Sequence, residues 1–143
     1  MSAPTIAAGD SLGAAPSRRR QAALALGDCA VFGLFALIGR RSHGDAAPIV
    51  DIARIAAPFA IAWLATAPWA GLYREPLIRE PRRAAGRAAL AWLAAGPIGL
   101  ALRSLVFGSE FKPTFAITTM LFNLLLLLGW RAGAAALLRR RAD

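Results

Sequence analysis

The sequence predicts an all-α fold, a four-helix transmembrane bundle with both termini in the cytoplasm. Hydrophobic residues make up 57% of the 143 residues, and the mean hydropathy is +0.51. Soluble domains usually contain about 45–50% apolar residues. The apolar residues form four long runs, each with roughly the 18 or more residues that a bilayer-spanning helix needs. Most of the 17 basic residues flank these runs, as topology signals do in membrane proteins.

The four predicted helices account for most of the chain and form one transmembrane domain, residues 21–138. Their predicted ranges are 21–39, 49–73, 84–105 and 114–138. A disordered basic tail, residues 1–20, is predicted to precede them, because this stretch is small, polar and rich in Gly and Pro. A short basic tail, residues 139–143, is predicted to follow. The first run carries Asp28 and lacks an Ala-x-Ala site, which favours a retained helix over a cleaved signal peptide.

Prolines indicate where a predicted helix begins and where it bends. Pro48 is well placed to begin the second helix, since its missing N–H is not needed in the first turn. Pro58, Pro68 and the Gly96-Pro97 pair predict kinks inside helices. Asp51 and Arg54 are three residues apart, so we expect them to pair on one helix face.

The distribution of basic residues predicts the orientation. Twelve of the 17 fall on the side that holds the two termini and the connection between the second and third helices. The positive-inside rule places this side in the cytoplasm of a cell with an inner, or plasma, membrane. The polar-tipped aromatic residues agree, because they lie near the same predicted interface. They are Trp69, Tyr73, Trp92 and Trp130.

Composition and motifs argue against several function classes. The net charge of +9 would suggest nucleic-acid binding in a soluble protein, but here the arginines flank apolar runs and do not line one amphipathic face. The single cysteine, Cys29, allows no intrachain disulfide and no thiolate zinc site. The sequence has no metal-spaced His/Cys set, no Walker loop and no dinucleotide fingerprint. We therefore predict no metal, no cofactor and no catalytic residue.

The stretch GRRSHGD, residues 39–45, is the first candidate site. It ends the first predicted helix on the side where arginine is scarce. Arg40, Arg41, His43 and Asp45 belong to it, and Arg103 would meet it from the third helix. Arginine forks suit phosphate and carboxylate groups, and histidine titrates near neutral pH. The alternative interpretation is an interfacial belt whose arginines reach lipid headgroups without specific binding.

Asp28 is the second candidate. It lies roughly 10 Å along the first helix from its predicted start, and a carboxylate in hydrocarbon must be paired, hydrated or protonated. The partners expected at similar depth are Arg87, Arg131 and Thr66. This group would be either a clamp between helices or a proton or ion relay. Asn123, in the fourth helix, is expected to bond across helices.

Several short motifs resemble the family called domain of unknown function 3054 (DUF3054), which comprises small prokaryotic membrane proteins. These motifs are Gly27-Asp28, GRRSHG at 39–44, APF at 57–59, GLALRS at 99–104 and GWR at 129–131. GRRSHG is the most specific of them. The resemblance spans most of residues 21–131. It implies a membrane protein and no established activity.

Three functions remain open at this point. The leading one is a small membrane-embedded binding or interaction protein, not an enzyme, with an outward Arg/His cluster. Its expected partners are the lipid bilayer with its anionic headgroups, a second copy of the chain, or another membrane protein. The alternative is a proton-coupled transporter or channel subunit that uses Asp28 with His43. A lipid-modifying membrane enzyme that uses Ser42 or His43 is the least favoured.

Overall fold

Four helices make up the protein in a computed structural model that describes residues 17–46, 48–74, 77 and 80–140. They are α1 (Arg18–Ser42), α2 (Ile49–Thr66), α3 (Pro81–Leu105) and α4 (Pro113–Arg140). All four are long and apolar enough to cross a membrane. The part of the chain that the structure describes contains no strand. The predicted four-helix transmembrane fold is confirmed, and the chain is a multi-pass membrane protein.

The first backbone N–H groups of a helix have no partner within the helix. Three of the helices begin with a residue that either accepts from one of these groups or has no N–H. Ser17 caps α1, and its side chain accepts from the backbone N–H of Arg20 at 3.4 Å. Pro81 and Pro113 are the first residues of α3 and α4, positions where a missing N–H costs nothing. Three residues assigned to the N-terminal tail, Arg18 to Arg20, thus belong to α1. The rest of that predicted tail, residues 1–16, lies outside the described residues, as do residues 141–143 of the C-terminal tail.

The second helix ends at Thr66, seven residues before its predicted end at Tyr73. Pro68 has no N–H with which to continue the helical ladder. Gly71 then adopts a left-handed φ of 71°, which reverses the chain direction. Residues 67–73 therefore form turns that bring Leu72 back into the core, where it is 1% exposed. The prolines inside α2 and α3, Pro58 and Pro97, do not interrupt those helices.

The four helices pack as a closed ring. Each helix contacts the next along the chain, and α4 returns to contact α1. One end of the bundle, here called the two-loop end, carries the connections that follow α1 and α3. The opposite end, the termini end, carries the start of α1, the end of α4 and the connection between α2 and α3. Any two sites at opposite ends are therefore separated by most of the length of the helices.

Aromatic side chains fill the centre of the bundle. Phe32, Phe59, Trp63 and Trp92 have no exposed surface, and their rings lie 5.5–6.4 Å apart between centroids, in tilted or edge-on contacts. Such contacts stabilise by about 0.5–1.5 kcal/mol beyond area burial. The outside of the bundle is also apolar. Large aliphatic side chains are exposed on all four helices, as a lipid-facing surface requires. They include Leu26, Leu90 and Leu125.

Candidate functional site

A buried carboxylate lies inside the bundle, in the half that is closer to the termini end. Asp28, on α1, has no exposed surface. Three neutral donors reach it: Trp63 Nε1 at 2.9 Å, Tyr73 Oη at 2.8 Å and Trp130 Nε1 at 3.0 Å. They come from α2, from the connection between α2 and α3, and from α4. The carboxylate therefore joins three separate parts of the chain to α1.

Arg131, on α4, supplies the opposite charge. It is 3% exposed, and its Nε donates to Asp28 Oδ1 at 2.9 Å while its second terminal nitrogen donates to Oδ2. The remaining terminal nitrogen donates to the Leu72 carbonyl at 2.8 Å. The guanidinium also stacks on the Tyr73 ring, 4.9 Å from its centroid. This forked geometry is the strongest form of the arginine–carboxylate interaction.

We call Asp28, Trp63, Tyr73, Trp130 and Arg131 the Asp28 network. Both carboxylate oxygens are occupied, Oδ1 by two donors and Oδ2 by three. Burial, and to a smaller extent the charge of Asp28, raise the pKa of the Tyr73 hydroxyl, so that it keeps its proton and remains a donor. The buried carboxylate is thus both charge-paired and fully hydrogen-bonded, which offsets the cost of its burial.

A glycine brings the Trp130 indole against α1. A Cβ added at Gly27 would lie 1.9 Å from Trp130 Cζ2, a distance at which one of the two groups must move. Gly27 immediately precedes Asp28 in α1. The absence of a side chain at residue 27 thus lets the indole N–H reach the carboxylate.

The structure brings one of the three expected partners to Asp28. Arg131 reaches it, whereas Arg87 donates to the Ala70 carbonyl at 3.2 Å and Thr66 donates to the Ala62 carbonyl of its own helix at 2.9 Å. Sequence reasoning missed the three aromatic donors. It assigned Tyr73 and Trp130 to the membrane interface. Both residues are predicted to lie in the same half of the bundle as Asp28, which could have indicated that they are donors to its carboxylate.

Asn123 differs from its expected role. It is fully buried, but its amide nitrogen donates to the Thr119 carbonyl, 3.1 Å away in the same helix. Its Oδ1 and the Thr119 hydroxyl have no hydrogen-bond partner among the residues that the structure describes. The expected bond across helices is therefore wrong. A bond across helices does form nearby in the sequence of α4, where the Met120 carbonyl accepts from Trp92 Nε1 of α3 at 2.9 Å.

The two-loop end contains a cavity of about 550 Å³, which we call the arginine cavity. It lies where α1, α2 and α3 meet. Its lining residues are Arg40, Asp51, Arg54, Ile55, Arg103, Phe107 and Ser109. Arg40 pairs with Asp51 at 3.2 Å and donates from Nε to the Ala46 carbonyl at 2.7 Å. Asp51 thus pairs with an arginine of α1, whereas a pair with Arg54 was expected.

The other two arginines of this cavity have no carboxylate partner among the described residues. The guanidinium of Arg103 lies over the Phe115 ring, 4.3 Å from its centroid. Arg54 is exposed on α2. Because Asp51 is already paired with Arg40, the cavity keeps an excess of positive charge.

A second cavity, of about 500 Å³, lies beside the first between α1 and the start of α4. We call it the amphipathic cavity, because apolar and polar side chains both line it. Its lining residues are Phe35, Ala36, Gly39, Arg40, Ser42, His43, Asp45, Ile55, Lys112, Thr114, Phe115 and Thr118. Arg40 and Ile55 line both cavities.

The predicted outer cluster is therefore divided. Arg40 and Arg103 line the arginine cavity, and His43 and Asp45 line the amphipathic cavity, whereas Arg41 is exposed and lines neither. The Ser42 hydroxyl donates to the Gly39 carbonyl at 2.8 Å. Across the described ranges, no three His, Cys, Asp or Glu residues are grouped as metal ligands would be.

Comparison with known families agrees with this architecture. The model of a family described as "Protein of unknown function (DUF3054)" matches residues 25–134. The chain belongs to the DUF3054 family. The matched region contains the whole Asp28 network and every residue that lines the two cavities. No curated protein and no solved structure matches the chain. Membership of DUF3054 confirms the family that the sequence motifs predicted and assigns no activity.

Proposed function

We propose that this DUF3054 protein is a membrane-embedded binding protein whose arginine cavity holds a phosphate or carboxylate group. The observation that carries the proposal is the pair of arginines in that cavity, Arg54 and Arg103, that have no carboxylate partner among the described residues. A guanidinium presents several N–H donors in a planar fork that matches both anions. A bound anion would supply the partner that these two side chains lack.

The geometry around Arg103 favours a built site over a loose surface charge. Its guanidinium rests on the Phe115 ring, which limits its freedom and lowers the ordering cost of binding. Arg40 is held by Asp51 and the Ala46 carbonyl, so it forms a fixed wall of the cavity. A volume of about 550 Å³ lies within the range of about 300–1,000 Å³ that is usual for ligand pockets.

The proposed orientation follows from the charge distribution. Most basic residues lie at the termini end, and the positive-inside rule assigns that end to the cytoplasm. The arginine cavity would then open on the outer side of a plasma membrane. It would bind its anion from outside the cell or from the outer leaflet.

The Asp28 network favours a binding role over proton-coupled transport. A relay carboxylate must exchange protons with a path, whereas both oxygens of Asp28 are occupied by five donors. His43, the other group in the transport hypothesis, lies at the opposite end of the bundle. We therefore propose a structural role for Asp28 and no catalytic role for the chain.

The first test measures thermal stability of the purified protein in a neutral detergent while inorganic phosphate is added. A ligand that binds only the folded state raises the melting temperature in a saturable way. Arg103→Gln is expected to weaken the apparent affinity by about 10- to 100-fold, because charge-assisted hydrogen bonds contribute about 1.5–3 kcal/mol. Arg41→Gln is the matched control, since Arg41 lines neither cavity, and it should leave the affinity unchanged.

Two results would overturn the proposal. One is the absence of any saturable effect of phosphate, acetate or an anionic lipid on the unmodified protein. The other is an equal response in the unmodified protein and Arg103→Gln. The melting temperature of each variant without anion serves as the check on folding.

A further inference from the structure

The two cavities at the two-loop end are neighbours that have two lining residues in common. Arg40 and Ile55 line both of them. Arg103 lines the arginine cavity, and the ring on which it stacks, Phe115, lines the amphipathic cavity. Only the stacked Arg103 guanidinium and Phe115 ring therefore lie between a group bound to Arg103 and the amphipathic cavity.

The two cavities differ in chemistry. The first has three arginines and one carboxylate among its seven lining residues. The second has an apolar floor between α1 and α4. Phe35 lies there 6.3 Å from the ring of Phe115, centroid to centroid, and Ala36 is 2% exposed. One cavity is thus suited to an anion and the next to a hydrocarbon or another apolar group.

We infer that the ligand is a lipid anion, an amphiphile that carries a phosphate or carboxylate group on an apolar chain. This inference rests on the proposed function, and it adds the source of the anion and a second subsite. The anionic group binds Arg54 and Arg103, and the chain passes Ile55 and Phe115 into the amphipathic cavity. Lys112 and His43 line that second cavity and tolerate a polar linkage between head and chain.

The position of the cavities along the helices agrees with a lipid. The arginine cavity includes residues just past the end of α3, and the amphipathic cavity extends along α4 as far as Thr118. Headgroups lie at the ends of membrane-spanning helices, whereas acyl chains lie alongside their interior. A lipid in this pose would keep both of its parts at the depth that they occupy in the bilayer.

Gly39 allows the chain subsite to be filled without disturbing the fold. It lines the amphipathic cavity, and a Cβ added there meets no atom within 4 Å. Gly39→Leu therefore places an alkyl group in the space assigned to the lipid chain. Gly86→Leu is the matched control, because residue 86 is another helical glycine with nothing within 4 Å of an added Cβ, and it lines neither cavity.

The experiment measures binding of two probes, inorganic phosphate and dioctanoyl phosphatidic acid, to the full chain in neutral detergent. Gly39→Leu is expected to weaken phosphatidic acid binding by about tenfold, because the added side chain overfills its subsite. The same variant should bind inorganic phosphate as the unmodified protein does, and Gly86→Leu should bind both probes normally. Dioctanoylglycerol, which lacks the phosphate, should bind weakly to all three proteins.

The outcomes separate this inference from the proposed function. Phosphate binding that depends on Arg103, together with phosphatidic acid binding that Gly39→Leu does not change, would overturn the chain subsite and leave the anion site standing. Binding of neither anionic probe would overturn both. Tight binding of dioctanoylglycerol would also contradict the inference, because the anionic group would then contribute nothing.

Discussion

Replacement of Arg131 by methionine tests whether the Asp28 network holds the bundle together. The change keeps the length and much of the volume of the side chain but removes three hydrogen bonds, two to Asp28 and one to the Leu72 carbonyl. Removing one partner of a buried ion pair typically costs about 3–5 kcal/mol. Asp28 would keep its three neutral donors. We therefore expect the free energy of unfolding to fall by about 3 kcal/mol, near the lower limit of this range.

The assay is reversible unfolding in mixed micelles with an increasing fraction of an anionic denaturing detergent, followed by tryptophan fluorescence. A loss of about 3 kcal/mol corresponds to roughly a hundredfold change in the unfolding equilibrium. Trp63→Phe removes one neutral donor to Asp28, and a hydrogen bond to a charged group contributes about 1.5–3 kcal/mol. Arg131→Met is expected to be the more destabilising of the two, because it also leaves the buried carboxylate without its opposite charge.

Arg139→Met is the control for loss of an arginine from α4, because Arg139 is exposed near the end of the same helix. It should change the free energy of unfolding by no more than about 0.5 kcal/mol. The reasoning is refuted if Arg131→Met is no more destabilising than this control. Arg131→Lys keeps the charge without the fork, and it should fall between Arg131→Met and the unmodified protein.

Two further predictions concern stability in the same assay. Gly27→Ala should destabilise the folded protein by about 1–3 kcal/mol, because its Cβ would overlap the Trp130 ring and force a repacking. The control is Gly86→Ala, at an open helical site, which should be neutral or slightly stabilising. Equal effects of the two changes would contradict the close approach of Trp130 to Gly27. Asn123→Leu should be neutral or stabilising, because it removes a buried Oδ1 that has no partner among the described residues. A loss above about 2 kcal/mol would contradict this, because it would show that the amide makes a stabilising bond to another group.

Much of the fold was accessible from the sequence because hydropathy depends on local composition. Four apolar runs predicted four helices, and Pro48 predicted the start of α2 to within one residue. The end of α2 was missed because residues 67–73 remain apolar after the helix stops at Thr66. Hydropathy alone does not distinguish a buried apolar turn from one more turn of helix.

The sites were less accessible, because they depend on how helices rotate against one another. The cost of burying a carboxylate indicated that Asp28 needs a partner, and Arg131 was among the three candidates. The indoles of Trp63 and Trp130 converge on it only through the packing of α2 and α4 against α1. The contact of Arg103 with Phe115 likewise joins two helices whose relative rotation no local pattern encodes.

Native mass spectrometry of the protein, extracted gently from its own membrane, tests the central claim that the arginine cavity binds an anion. We expect the unmodified protein and Arg41→Gln each to retain one equivalent of an anionic lipid, and Arg103→Gln to lose it. A protein that carries no anionic molecule, or one that retains the same molecule after Arg103→Gln, would show that the arginine cavity is not an anion site.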